Sequence, residues 1–442
     1  MAANQEKIRA RGMEIFRLME REKPGIFDTR RWAGEMMALT MAHPELKVRL
    51  FRFIDVLPTL TTTELLAGHI REYFLDEEVH LPPMFRAMLA GLDSPLTAGA
   101  VAALIRRNLV DFSRTFIVGE SPQAARKELK KIWGEGRTFT VDLLGEAALA
   151  EKEAERYQEL YLAVASELGR ELADWKTIHS GRERHFPRLN LSVKVSSLFS
   201  RIGPMNFEES VTRLRDGLRP IVREVRAHGG FVNLDMEMYS LKEVTLTAFM
   251  TLLEEPEFAG WDGAGIALQA YLKDSWDDIG RLAGWAREKD RRITVRLVKG
   301  AYWEYETVTA RQKGWPAPVY GRKEHTDWNF ERCLARILDN REVMTLAVGS
   351  HNVRTLAATM AAAEERGISA EEYEFQMLYG MAEPIKRALG KMGHVVRDYA
   401  PIGELLPGMA YLVRRLLENT SNESFLAGRA GGAHLDELLR RP

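Results

Sequence analysis

From Thr138 onward the chain repeats one pattern: a short β-rich run followed by a longer segment of helical periodicity. The runs are TFTVDLL, LNLSVKVSS, GFVNLDM, GIALQAY, ITVRLVKG, VMTLAVGS, YEFQMLYG and GHVVRDYA, eight in all. Segments such as FEESVTRLRDGLRPIVREVRAHG and DSWDDIGRLAGWAREKD lie between most of them. Several runs read as continuously apolar, as strands covered on both faces should. Eight such units over about 300 residues predict an α/β fold of the (β/α)8, TIM-like type. A doubly wound open sheet is the alternative. No G-x-G-x-x-G motif follows any run, which argues against a Rossmann dinucleotide site. WGEGRT has the wrong spacing, and DGAGIAL leads into a strand.

The residues before Thr138 have no strand-like alternation. KIRARGMEIFRLMERE carries apolar residues at Ile8, Met13, Ile15, Phe16 and Met19, close to helical spacing. TTTELLAGHIREYFLD opens on threonines that can cap a helix ahead of Glu64. The expected organisation is a helical arm over 1–60, a helical domain and linker over 61–137, and the barrel over 138–442. The net charge of −1 gives no global attraction to nucleic acid or an anionic membrane. The single cysteine, Cys333, excludes an intrachain disulfide and a thiolate metal cluster, and suits a reducing, cytoplasmic compartment. The N-terminus lacks the apolar run of a signal peptide, and no long uncharged apolar stretch predicts a spanning helix.

A barrel collects its functional groups at the carboxyl ends of its strands. Those positions hold Asp142 and Glu146, Lys194, Asp235 and Glu237, Gln269 and Tyr271, then Arg296, Lys299 and Tyr302. His351 and Asn352, Gln376, and Arg397 with Tyr399 complete the circuit. Buried without partners, such groups would cost several kcal/mol each, so a polar ligand with anionic parts is the simplest common partner. Lys194 stands between Val193 and Val195, in a run too apolar for a solvated lysine. It reads either as a buried ion pair with Asp142 or Asp235, or as a functional amine. Gly300-Ala301 follows Lys299 and lets backbone approach a ligand closely. PVYGRKEHTD, with Arg322, Lys323 and Thr326, is a short basic loop that suits a pyrophosphate or adenylate. The histidines have no H-x-x-x-H spacing, so no metal is expected.

One helix lies beyond the eighth run. In MAYLVRRLLENTS, Met409, Leu412, Val413, Leu416 and Leu417 fall on one side at 100° per residue. Tyr411, Arg414, Arg415 and Glu418 fall on the other. This polar face is either solvated or an anion clamp. Its place after the eighth strand favours the clamp, because two guanidinium groups can hold a carboxylate bidentately.

VRLVKGAYWE, SHNVRT, EFQMLYGM, VDLLGEAA and RDYAPIGELLPGMAYLVRRLLENTSNESFL occur in the order and spacing of one family. The chain resembles the proline dehydrogenase region of the bifunctional flavoenzyme proline utilisation A, from about Thr138 to Phe425, with weaker similarity in the helical N-terminal part. The resemblance implies a distorted (β/α)8 barrel that binds FAD without a Rossmann motif. It implies oxidation of L-proline to Δ1-pyrroline-5-carboxylate, the first step of proline catabolism to glutamate, by hydride transfer to flavin N5. Electrons then pass to a membrane quinone, which suits an enzyme peripheral at the inner face of the membrane.

Carried over by residue, Arg414 and Arg415 grip the proline carboxylate, Glu418 orients them, and Glu146 pairs with Arg414. Lys194, Asp235, Leu297, Tyr302, Leu378, Tyr399 and Tyr411 line the proline pocket. FAD contacts fall to Gln269, Arg296, Lys299, Gly300, Ala301, Trp303, Arg322, Thr326, His351, Asn352 and Gln376. The sequence departs from the family at Met238, where a second acid is common, and at Gly321, where a threonine is usual. No basic strand-helix-helix segment of the family's DNA-binding module is apparent. A C-terminal aldehyde dehydrogenase domain is an expected partner within a longer native polypeptide. Two rival readings differ in class: a Schiff-base aldolase using Lys194 or Lys299, and a non-catalytic regulator that senses a ligand or binds DNA.

Overall fold

Each β-rich run forms one strand of a closed, all-parallel barrel with strands in sequential order. The computed structural model describes residues 4–20, 62–74, 114–145, 147–176, 186–404 and 435–440, with a few further positions between 49 and 107 and Pro442. The strands are β1 (Thr138–Leu143), β2 (Asn190–Val193), β3 (Phe231–Leu234), β4 (Ala264–Gln269), β5 (Ile293–Val298), β6 (Met344–Gly349), β7 (Glu374–Leu378) and β8 (Val396–Ile402). β1 closes the ring against β8, from Thr138 opposite Arg397 to Leu143 opposite Ile402. The open-sheet alternative is thereby excluded.

Helices fill the connections, as parallel pairing requires. The Phe207–Ala227 helix ends where Gly229 adopts φ +62°, so the glycine pair does mark a helix terminus. The Thr63–Phe74 helix is capped by Thr62, whose hydroxyl accepts the Leu65 N–H at 3.2 Å.

The expectation of continuously apolar strands is corrected by side-chain direction. The strands are buried on both faces, but the two faces differ in chemistry. Outward residues such as Phe139, Val141, Leu191, Val193, Val295 and Leu297 join the apolar shell beneath the helices. Inward residues include Thr138, Thr140, Asp142, Asn190, Ser192, Arg296, Glu374, Gln376 and Arg397, all buried. Strict period-2 alternation therefore places polar groups inside the barrel. The interior differs from the usual barrel filling of branched aliphatics.

The Gln5–Glu20 helix packs on the outer wall. Ile8 is buried with Ala357, Ala358 and Ala361 of the Val353–Glu364 helix. Arg11 Nε donates to Glu364 at 2.7 Å, and Arg354 Nη1 donates to Gln5 Oε1 at 3.1 Å.

The barrel mouth as candidate active site

The carboxyl ends of β1, β2, β3, β5, β7 and β8 converge on one polar cluster. Lys194 directly follows β2, and its Nζ pairs with Asp142 of β1. The same amine donates to the Leu143 carbonyl at 3.2 Å, and the Lys194 N–H donates to the Tyr161 hydroxyl at 3.2 Å. Burial opposes the Lys194 charge, but attraction from Asp142, with Tyr161 and Asp235 behind it, holds its pKa above the ordinary lysine value. Burial pushes the Asp142 carboxyl up; Lys194 opposes that, and the charge of Asp235 adds to it. Of the two sequence readings of Lys194, the ion pair with Asp142 is present, and it lies at the carboxyl end of β2.

Asp235 sits across from this pair and accepts three hydrogen bonds. They come from Ser192 Oγ at 2.7 Å, Arg296 Nη1 at 2.5 Å and the Tyr399 hydroxyl at 2.8 Å. Arg296 rises from mid-β5 and also donates from Nε to Gln376 Oε1 at 2.6 Å and from Nη1 to Ser192 Oγ at 2.8 Å. Its Cζ lies 5.3 Å from the Tyr399 ring centroid. Arg296 Nη2 is buried without a hydrogen-bond partner among the described residues. A desolvated guanidinium donor of this kind fits an acceptor-rich ligand.

Glu237 lies behind the cluster, accepting the Ser196 N–H at 3.0 Å and hydroxyl at 2.7 Å. Burial raises its pKa, and the two bonds from Ser196 oppose that. Gln269 Nε2 donates to the carbonyls of Glu237 at 3.1 Å and Met236 at 3.3 Å.

A second group of expected residues follows β5 and β6. Gly300 has φ +132°, and a Cβ there would meet the Tyr271 ring at 2.5 Å. The fold itself therefore requires the glycine. Lys299 pairs with Asp327 of the Lys323–Asp339 helix; burial lowers its pKa, while Asp327 opposes that. Thr326 is buried on the same helix, whereas Arg322 is exposed and bonds Glu324. Trp303 donates from its indole to the Tyr320 carbonyl at 2.8 Å. Ala301 is exposed and Tyr302 half-buried at the start of the Trp303–Lys313 helix. His351 Nε2 accepts the Leu378 N–H at 3.0 Å, so that nitrogen is engaged by backbone. Asn352 caps the Val353–Glu364 helix, accepting the Thr355 N–H at 3.0 Å.

Two expected placements change. Leu297 alternates with Arg296 and lies fully buried in the outer apolar shell, so it does not join the mouth. Arg397 is at the opposite end of the barrel, because β8 starts at Val396 and runs on through Ile402. There it donates to Glu374 at 2.8 and 3.0 Å and to the Phe139 carbonyl at 2.8 Å. Ser192, Tyr161 and Glu374 were missed by the sequence reading. The signal that could have found two of them is the polar period of two in Asn190-Leu191-Ser192 and Glu374-Phe375-Gln376. Tyr411, Arg414, Arg415, Glu418 and Glu146 lie outside the described residues. Among the described residues, no cluster of three or more histidine, cysteine or acidic side chains could hold a metal ion.

Fold and mouth together define a closed parallel barrel whose interior is polar and whose mouth gathers paired charges. Comparison with known proteins gives that class its family. Residues 125–428 match the sequence profile described as proline dehydrogenase, and residues 5–116 match that of the proline utilization A N-terminal domain. The chain belongs to the proline dehydrogenase family. The bifunctional protein PutA of Escherichia coli K12 is 34% identical over 335 residues, which is 74% of this chain and 25% of that protein. The chain thus spans about a quarter of the length of such curated relatives. The proline dehydrogenase of Deinococcus radiodurans is 27% identical over 74% of this chain and 92% of its own. A crystal structure of proline utilization A from Bdellovibrio bacteriovorus, inactivated by N-propargylglycine, superposes with a TM-score of 0.89 at 44% identity. It covers 99% of this chain and 44% of that one.

Proposed function

We propose that this chain oxidises L-proline to Δ1-pyrroline-5-carboxylate with bound FAD. The observation that carries the reading is the Arg296 guanidinium, buried at the mouth of a proline dehydrogenase-family barrel with one donor nitrogen unengaged among the described residues. Gln269, Arg296, Lys299, Gly300, Ala301, Trp303, Arg322, Thr326, His351, Asn352 and Gln376 would hold the cofactor. Their donors and the tight Gly300 turn fit a large anionic group along the rim of β4 to β7. FAD, when bound, supplies a two-electron acceptor for the hydride leaving the proline ring carbon beside nitrogen.

The chain's own residues do the rest. Arg414 and Arg415 take the substrate carboxylate, with Tyr411, Glu418 and Glu146 beside them. Lys194, Asp235, Tyr302, Leu378 and Tyr399 shape the pocket. The proline nitrogen must be neutral to release hydride, so a rigid carboxylate grip and a walled pocket contribute through orientation. The positive charge of Arg296 would stabilise the negative charge that reduction adds to the cofactor. A Schiff-base route through Lys194 is disfavoured, because its amine is held protonated by Asp142.

Electrons then pass to a membrane quinone from a cytoplasmic enzyme touching the inner face. Among the described residues no helix is long and apolar enough to cross a membrane. The organisation into an arm, a helical linker region and a barrel, followed in the native polypeptide by an aldehyde dehydrogenase domain, belongs to this same reading. The test is anaerobic titration of the purified protein with L-proline while flavin absorbance is followed. Bleaching in proportion to added proline is expected. A colourless protein that borohydride traps with a carbonyl substrate would exclude the flavin reading.

A further inference from the structure

A hydrogen-bonded chain runs up the barrel interior from Arg397, near the start of β8, to the mouth. Arg397 donates to both oxygens of Glu374, at 2.8 and 3.0 Å. Gln376 Nε2 donates to Glu374 Oε1 at 2.6 Å, and Gln376 Oε1 accepts from Arg296 Nε at 2.6 Å. Arg296 then reaches Asp235. Glu374 is 3% exposed and Gln376 6%. We propose that Glu374 is a positioning residue: its carboxylate fixes the orientation of the Gln376 amide, and through it aims Arg296 into the mouth.

The direction of this chain is set by chemistry. An ionised carboxylate can only accept, so Gln376 must turn its NH2 toward Glu374. Its carbonyl oxygen then faces Arg296, whose Nε–H can only donate. Rotated the other way, the amide would set oxygen against carboxylate and NH2 against N–H. Both contacts would be repulsive, and all three side chains are buried. Arg397 makes the arrangement stable by pairing with Glu374 through a two-bond fork. Glu374 lies two residues below Gln376 on β7, about 6–7 Å along the strand, so it touches no reactant.

The test compares Glu374→Gln, Glu374→Asp, Gln376→Met and the interior control Thr345→Val, in the protein as purified. One readout is the NMR signal of the Arg296 Nε–H in nitrogen-labelled protein, assigned by its loss in Arg296→Lys. The other is steady-state proline oxidation, and only this second readout rests on the function proposed above. Glu374→Gln is expected to shift or broaden the Arg296 signal and to lower kcat about ten- to a hundredfold, with KM within about twofold. Glu374→Asp, which keeps the charge, should move both less, and Gln376→Met should reproduce the signal change. If Glu374→Gln does not fold, Glu374→Asp carries the signal test, its shorter carboxylate being expected to move the Arg296 signal in the same direction by a smaller amount. An Arg296 signal unmoved by these variants overturns the proposal, and so does an equal change in Thr345→Val. A moved signal in a protein that does not oxidise proline upholds the positioning role and removes the functional reading.

Discussion

Arg296 and Asp235 meet across the barrel mouth with Nη1 and Oδ1 2.5 Å apart. They come from strands with β4 between them, the middle of β5 and the residue just past β3, and each has further hydrogen-bond partners. Ser192 and Tyr399 also donate to the carboxylate, and Gln376 accepts from the Nε edge of the guanidinium. Replacing Asp235 by Asn removes the charge that balances a buried arginine. A hydrogen bond to a charged group is worth about 1.5–3 kcal/mol. If that interaction is fully expressed at the transition state, kcat/KM for proline should fall about 10- to 150-fold in Asp235→Asn. Steady-state kinetics with retained flavin absorbance would check this, and an unchanged kcat/KM would remove Asp235 from the site.

Tyr399 adds a smaller, separable increment. Its hydroxyl donates to Asp235 Oδ2 at 2.8 Å, while its ring lies against Arg296. Tyr399→Phe keeps the ring and loses the bond. The expected cost is about 1 kcal/mol, or roughly fivefold in kcat/KM. The double variant Tyr399→Phe/Asp235→Asn should be less than additive, because both act through one carboxylate.

Lys194 and Asp142 predict a pH-dependent stability defect. Breaking a buried pair by removing one partner costs about 3–5 kcal/mol. Lys194→Met leaves Asp142 buried and unpaired, and its pKa, already raised by burial, should rise further. A carboxyl with a raised folded-state pKa stabilises fully below its unfolded value, and that contribution is lost as pH rises through the folded value. The defect of Lys194→Met should therefore be small in acid and grow toward neutral pH. Adding Asp142→Asn should restore most of the loss. Denaturant unfolding at several pH values checks both statements.

The barrel was legible because each strand is short, bounded by turn residues and followed by a helical period. Its polar interior was less so. Threonine, asparagine and serine alternating with valine and leucine blend into an apolar run unless the two parities are read apart, as in Thr138, Thr140 and Asp142. Arg397 was misplaced because the eighth run reads as GHVVRDYA, ending at Ala400, which sets its arginine close to a carboxyl end. The strand in fact continues to Ile402, with the Val118 N–H bonding the Pro401 carbonyl at 3.0 Å. The caps at Asn352 and Thr62 follow from residue type, but the engagement of His351 by the Leu378 N–H does not. That contact joins β7 to the turn after β6, a pairing in space that no local pattern encodes.

Asp327 should show the opposite pH behaviour to Asp142. Burial works against its charge, yet Lys299 and Lys323 together hold its pKa below the ordinary aspartate value. Lys323 Nζ lies 2.8 Å from its Oδ2, and Lys299 pairs with the other oxygen. A depressed carboxyl stabilises above its unfolded pKa and loses that contribution as pH falls through the folded value. Asp327→Asn should cost about 2 kcal/mol at neutral pH, and the gap to the wild type should close below about pH 4. A gap that persists unchanged in acid would assign the loss to packing.

Gly300 offers a test of the turn that leads from β5 toward the basic loop. Two constraints coincide there. Its φ of +132° lies in a region that side chains rarely adopt, and an added Cβ would sit 2.5 Å from the Tyr271 ring. Tyr271 cannot simply step aside, because its N–H donates to the Lys299 carbonyl at 2.7 Å and its carbonyl accepts the Tyr320 N–H at 2.8 Å. Gly300→Ala must therefore move the turn itself, carrying Lys299 and Ala301 with it. The expected loss is about 2–4 kcal/mol of stability, combined with weaker flavin retention through gel filtration. Tyr271→Ala in the same background removes the ring that the methyl meets but leaves the backbone strain. It should recover part of the loss, and failure to recover any would place the whole cost in the backbone.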